Sequence, residues 1–545
     1  MEKMKKMEKM EKMEKIYPAG IAGIKNLGIK KWMNDYYVPV TGKEFKNIYD
    51  KVYKSYMDII KQYDNGIVSW IAIPNDTIPR YVSLYIFELL KLIRLKDKGY
   101  DYIMGQKKEK LSSDISTYKA TGSSNPDANM NLIGKRISEL TPQERAKNIL
   151  RTIKYNISPG HLINKDFLKN ISKPYYFIGD RTQHEVVTFC RENGIAPICL
   201  PSMIFAKKGS VEINNDSQYV EMMDFIMIFL DLVRKQHPII DNTTFELLRR
   251  NMEECFRNSL FYFRQNIRVF GKLKPKNLLV TGLGNQIHRL FCSAWRYAGG
   301  RVIGFTHGCS YSHYYSTKAK LFKDLSMVEQ YVASSKGQEE IIKQAAKDFL
   351  PDYKMPNIVH SKNNIYKPLF DRLKSDPPVN KIKKIMVVGA VIKIYSIIDT
   401  EYHTFSLLYN DIQLINILKK AGYYAVYKPR PETMHETYDI FEKYADVVLK
   451  GKLEDVYKNA DCLVFSSPYS SAFGFSLLTN RPIVLLNVEG CHWYRRAFEL
   501  IKKRCRIVEA YPADGRIAFD EKEFIDAVES SLSNINYDVL YEFAF

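Results

Sequence analysis

The chain has 545 residues, enough for two or three domains of roughly 100–200 residues, each able to bury its own core. Hydrophobic residues make up 46% and charged residues 26%, which excludes disorder over the whole chain. Lys and Arg number 81 against 61 Asp and Glu, a formal net charge of +20, which points to an anionic partner: nucleic acid, acidic lipid headgroups or phosphorylated substrates.

The chain opens with a low-complexity tract, residues 1–15, in which Met1, Met4, Met7, Met10 and Met13 recur between Glu and Lys. These residues favour helix, but a period of three does not match about 3.6, so the Met stripe winds around the helix. The tract reads as a helical extension, either solvated or weakly engaged at a membrane surface or in oligomerisation. It carries no apolar segment or cleavage site of a secretory signal.

Residues 16–350 are expected to form an N-terminal α/β domain with helical insertions. The apolar run Ile67–Ile73 lies in a helical stretch, and the polar stretch Lys108–Asn129 reads as a loop. Thr141-Pro142-Gln143-Glu144 has the pattern of a helix start with a capping box. From Tyr175 strands alternate with helices: strands at 175–178, 196–200, 277–281 and 301–305, with two long helices at 218–236 and 243–268. That alternation predicts a parallel sheet with crossover helices. Residues 351–380, with five prolines, read as the interdomain connection, and 381–545 as a second Rossmann-like domain. No apolar run approaches the about 18–20 residues that span a bilayer. The eight cysteines include no C-x-x-C pair, which argues against a zinc ribbon or disulfide scaffold and for a reducing, cytoplasmic setting.

Ligands of open α/β sheets sit at the carboxyl ends of strands, so the loops after each strand carry the chemistry. Gly282-Leu283-Gly284-Asn285 follows one strand and opens a helix, but Ile287 stands where a dinucleotide fingerprint needs a third small residue. The glycines read as a tight turn or as room for close approach of a ligand, with Gly284 and Asn285 facing the cleft. Thr306-His307-Gly308 follows the next strand; His307 is placed for acid/base work or for phosphate, and Gly308 for the cleft. Asp180, just past the strand at 175–178, is the first candidate for a base, and His307 the second.

In the second half, Gly389 ends a strand, and Lys428-Pro429-Arg430-Pro431-Glu432 follows another. Two prolines stiffen that loop, and two cations at fixed spacing suit phosphate oxygens. Ser466, Ser467, Ser470 and Ser471 precede a helix and read as an anion site or as ordinary N-capping. Near the end, Arg495, Arg496, Lys502, Lys503, Arg504 and Arg506 crowd one short region around a basic helix at 494–505, facing solvent or acidic lipid.

Together, the strand–His-Gly element, the Lys-Pro-x-Pro loop and the Ser-rich turn running into "FSLLTNRPIVLLN" resemble two-domain GT-B glycosyltransferases of bacterial surface polysaccharide synthesis. The likeness spans roughly residues 170–510 and is strongest to the capsule Kdo-transferase and CDP-glycerol glycerophosphotransferase type. It implies two Rossmann-like domains facing a cleft, with a nucleotide-activated sugar in the second domain and a glycan or lipid-linked glycan acceptor in the first. In such families the Lys-Pro-His-Pro and Ser-Ser elements contact the nucleotide's phosphates, a role that passes to Lys428 and the serines here. Arg430 stands where His is expected; it binds phosphate with permanent charge but cannot protonate a leaving group. The expected activity is metal-independent glycosyl transfer without a cofactor, the donor being a co-substrate. The alternative is CDP-alditol phosphotransfer on the same scaffold. Nucleic-acid binding is a minor alternative, as no RNA-binding or zinc-finger motif is present. The surplus cations would hold the enzyme at the inner face of an anionic membrane.

Overall fold

The computed structural model describes residues 15–111, 175–200, 216–306, 322–349, 355–389, 401–488 and 493–545, less short breaks at 19, 36, 64–65, 105–107, 180–183, 274, 285, 323, 363, 365, 432–433, 469 and 514–515. The N-terminal tract and the Thr141 helix start lie outside the described residues. The described residues form an α/β protein with three sheets.

A small sheet joins β1 (Ile16–Pro18), β2 (Tyr102–Met104) and β3 (Lys108–Lys110). The last of these pairs antiparallel with β2, so the expected loop from Lys108 begins as a strand. The second sheet contains β4 (Tyr175–Ile178), β5 (Ile198–Cys199), β6 (Asn277–Val280), β7 (Arg301–Phe305), β8 (Gln330–Ala333) and β9 (Asn357–His360). Its order is β5-β4-β6-β7-β8-β9, and every pairing is parallel. The third contains β10 (Lys384–Val388), β11 (Tyr424–Lys428), β12 (Val447–Val448), β13 (Cys462–Phe465), β14 (Ile483–Val488), β15 (Arg506–Ala513) and β16 (Arg516–Ala518). Its order is β12-β11-β10-β13-β14-β15-β16, parallel apart from the β15–β16 hairpin. This is a Rossmann-like strand order, with the reversal of direction between β10 and β13.

These strands form because near-continuous apolar runs suit a sheet covered on both faces. All four residues of Cys462–Phe465 are buried, as are the last four of Lys384–Val388. The long helices Ser217–Gln236 and Asn242–Leu273 pack with Gly42–Ile60 and Ile78–Asp97 in one core that also takes Ile178, Leu278 and Val280 from the second sheet.

Two expected boundaries shift. The stretch 351–380 is not a plain connection, because Asn357–His360 adds to the edge of the second sheet and Tyr366–Lys374 is a helix. Its prolines fall where they are tolerated: Pro356 just before a strand and Pro368 in a first helical turn, where N–H groups have no helical partner. Residues after 16 do not all pack with the first half. Tyr17, Ile21, Ile24 and Trp32 share a core with Phe405, Tyr409 and Ile412 of helix Glu401–Lys420, and Trp32 meets Phe405 edge-on at 5.9 Å. The C-terminus makes the reverse crossing: the Ser335 hydroxyl donates to the Phe543 carbonyl at 2.6 Å.

Candidate functional site

At the carboxyl end of the third sheet lies a cavity of about 520 Å³. Val388 and Gly389 come from the end of β10, Lys428 to Pro431 from the end of β11 and its loop, and Ser470 to Ala472 from the turn after β13. Lys452, Leu453 and Glu454, after β12, close the fourth side. The cavity therefore sits at the point where the strand order reverses, where parallel sheets leave a crevice between loops that diverge to opposite faces. It has the size of a small-molecule site.

Its charge is positive: Lys428, Arg430 and Lys452 against Glu454. Lys428 is only 3% exposed, with its ammonium 2.6 Å from the Pro429 carbonyl that it donates to. Arg430 is half-buried on the loop between the two prolines. Gly389 is required by packing, since a Cβ there would stand 2.3 Å from the Tyr427 hydroxyl oxygen. Its N–H also donates to the Lys428 carbonyl at 3.0 Å, which locks the ends of β10 and β11 together.

The four serines divide. Ser470 and Ser471 line the cavity, and Ser470 also caps helix Ser471–Leu477, its hydroxyl accepting from the Phe473 N–H at 3.1 Å. Ser466 and Ser467 are buried at the end of β13 and do not line it. Both sequence readings of the loop, N-cap and cavity wall, thus apply to Ser470.

The basic helix is corrected. Helix Arg495–Arg504 buries Ala497, Leu500, Ile501 and Arg504. Arg504 is fully buried, donating to the carbonyls of Thr479 at 2.6 Å, Arg481 at 3.0 Å and Leu477 at 3.2 Å. It satisfies the last carbonyl of helix Ser471–Leu477 and two in the turn that follows, so it braces the cavity wall rather than facing lipid. Arg496 is engaged by Glu542, bidentately at 2.9 and 3.0 Å.

Asp180, Asn285, His307, Gly308 and Glu432 lie outside the described residues. Gly284 is exposed with nothing within 4 Å of a Cβ, so packing does not demand glycine there. Gly282 does need it, with φ at +71°. Behind that turn, Arg289 is fully buried, 3.1 Å from Asp76 and donating to the carbonyls of Leu283 at 2.7 Å and Pro74 at 2.9 Å.

Two kinds of residue escaped the sequence reading. Lys452 and Glu454 follow β12, and the same rule of strand ends would have found them, with Gly451 at φ +97° as the turn signal. His288, half-buried behind the Gly282 turn at the carboxyl end of the second sheet, is held below the usual imidazole range by burial, which favours its neutral form. Among the described residues, no group of three or more His, Cys, Asp or Glu is placed to hold a metal ion. The six described cysteines form no disulfide.

No protein-family model matches the chain, and no curated protein matches it significantly.

Proposed function

We propose that this protein is a glycosyltransferase that moves a sugar from a nucleotide-activated donor to a surface-polysaccharide or lipid-linked acceptor, on a GT-B arrangement of its two parallel sheets. The observation that carries the reading is the cavity at the β10–β13 reversal, where Gly389, Lys428, Arg430, Ser470 and Ser471 line one space. In this reading the third sheet binds the nucleotide. Lys428 and Arg430 stabilise the charge that gathers on the departing phosphate, the electrostatic contribution that usually dominates such transfers. A group at the carboxyl end of the second sheet deprotonates the acceptor hydroxyl: Asp180 or His307 by the sequence reading, with His288 as a neutral imidazole on the same edge.

Arg430 favours a second reading. A guanidinium supplies charge but no proton, which suits cleavage of a CDP-alditol phosphoanhydride as well as release of a nucleotide from a sugar. Among the described residues, no helix is long and apolar enough to cross a membrane. A cytoplasmic enzyme, held at the inner face of an anionic membrane by surplus cations, fits that and the charge of +20.

A panel of CMP-, UDP- and GDP-sugars and CDP-alditols, each followed for nucleotide release with purified protein, tests this. The expected result is release from one donor class, with CMP as product for a CMP-sugar or CDP-alditol and a nucleoside diphosphate for the others. Release from none, together with tight, salt-dependent binding of random oligonucleotides, would replace the reading with nucleic-acid binding.

A further inference from the structure

Under the cavity floor lies a carboxyl group that the proposed site does not use. Asp411, on helix Glu401–Lys420, is completely buried. Its Oδ2 accepts a 3.0 Å hydrogen bond from the Tyr427 hydroxyl, while its Oδ1 has no hydrogen-bond partner among the described residues. The Ser466 hydroxyl, also fully buried, faces the same carboxyl from the end of β13 but stops short of hydrogen-bond geometry. Above the pair, the Tyr427 hydroxyl fills the space that a side chain at 389 would need. The helix reaches the ends of β10 and β11 through Tyr427, and Gly389 and Lys428, both next to that tyrosine, line the cavity.

Burial of an ionised carboxylate is costly and pushes Asp411 up to about 7, and among the described residues no cation offsets it. Tyr427 is the titratable group facing it from β11, and burial raises that phenol too. Lys428, at the end of the same strand, gives its ammonium to the Pro429 carbonyl. Arg516, on β16, reaches the Tyr409 hydroxyl at 3.4 Å and the Asn34 carbonyl at 2.9 Å. With its proton in place, the carboxyl has an O–H to offer Ser466 while it accepts from Tyr427. Without it, both hydroxyls can still donate to the carboxylate, but the charge itself stays buried away from water beneath the cavity.

We propose that Asp411 is a positioning residue for the cavity: it ties Tyr427 and the Ser466 turn to one helix and so sets the main chain of Gly389 and Lys428 for phosphate. The proposal rests on the phosphate-binding reading of the cavity. It makes binding depend on the proton of a group that never touches the ligand.

The test is calorimetric titration of CMP, CDP, UDP and GDP between about pH 5.5 and 8.5 into wild type, Asp411→Asn and Asp411→Ala, with thermal unfolding of each unliganded protein alongside. Asn keeps the shape and cannot ionise, and the titration of the nucleotide's own phosphate cancels between variants. Wild-type affinity is expected to fall about tenfold relative to Asp411→Asn as pH rises through 7, and Asp411→Ala to be about tenfold weaker at low pH. The folded carboxyl keeps its proton to higher pH than the unfolded chain does. Wild-type stability is therefore fullest below the ordinary carboxylate range and declines as pH rises toward 7, a decline that Asp411→Asn lacks. Equal pH dependence in wild type and Asp411→Asn, or Asp411→Asn as weak as Asp411→Ala, overturns the positioning role alone. Absence of nucleotide binding at every pH overturns the phosphate reading and the positioning role with it.

Discussion

Between β10 and β13 the chain presents Lys428 and Arg430 to a cavity of about 520 Å³, whereas behind the turn after β6 the arginine in view, Arg289, is sealed against Asp76. Both sheets are parallel apart from the β15–β16 hairpin, and both change direction next to their first strand. Topology leaves room at each carboxyl end, but the residues decide whether that room becomes a binding site or a brace. In the third sheet the cations stand on a proline-stiffened loop at the cavity. In the second, the guanidinium is spent on carbonyls and a buried carboxylate, holding the Gly282 turn against the Pro74 segment.

The comparison predicts opposite phenotypes. The largest effect is expected for Arg289→Ala, which leaves Asp76 buried without its partner: a loss of about 3–5 kcal/mol in urea unfolding, with any nucleotide affinity of the remaining folded protein unchanged. A loss under 1 kcal/mol would show that the pair is not a brace. Next comes Gly389→Ala. Its Cβ would press on the Tyr427 hydroxyl, costing about 1–3 kcal/mol and weakening nucleotide binding as well. Combining it with Tyr427→Phe should recover part of both losses, and no recovery would mean that the clash is not the cause. Ser470→Ala is expected to cost about 1 kcal/mol in stability through the lost cap, with a smaller effect on affinity.

Much of this was readable beforehand, for physical reasons. Apolar runs such as Cys462–Phe465, bounded by turn residues, announce buried parallel strands. The rule that ligands gather at strand ends then led to Gly389, Lys428, Arg430, Ser470 and Ser471, all of which line one cavity. What stayed hidden had weaker or misleading signals. Gln330–Ala333 starts on a polar residue and runs straight into Ser334 and Ser335, so it does not stand out as a strand, and prolines on both sides mask Asn357–His360. A true capping box, Thr41 with Glu44, opens helix Gly42–Ile60 and went unread. Arg504 was counted among surface cations, although its spacing from Ala497, Leu500 and Ile501 puts it on the apolar stripe of its helix. The packing of the first residues on the third sheet, and of the last residues on the second, depends on contacts far apart in sequence that no local pattern encodes.

The central claim is that Lys428 and Arg430 bind the phosphates of a nucleotide in the cavity of the third sheet. Calorimetric titration of CMP, CDP, UDP and GDP in turn into wild type and Arg430→Ala at one fixed salt concentration tests it most directly. The account predicts one saturable site in wild type, weakened about tenfold or more in Arg430→Ala, with thermal unfolding of the two proteins the same. Equal affinity in both, or no binding to wild type, would contradict it.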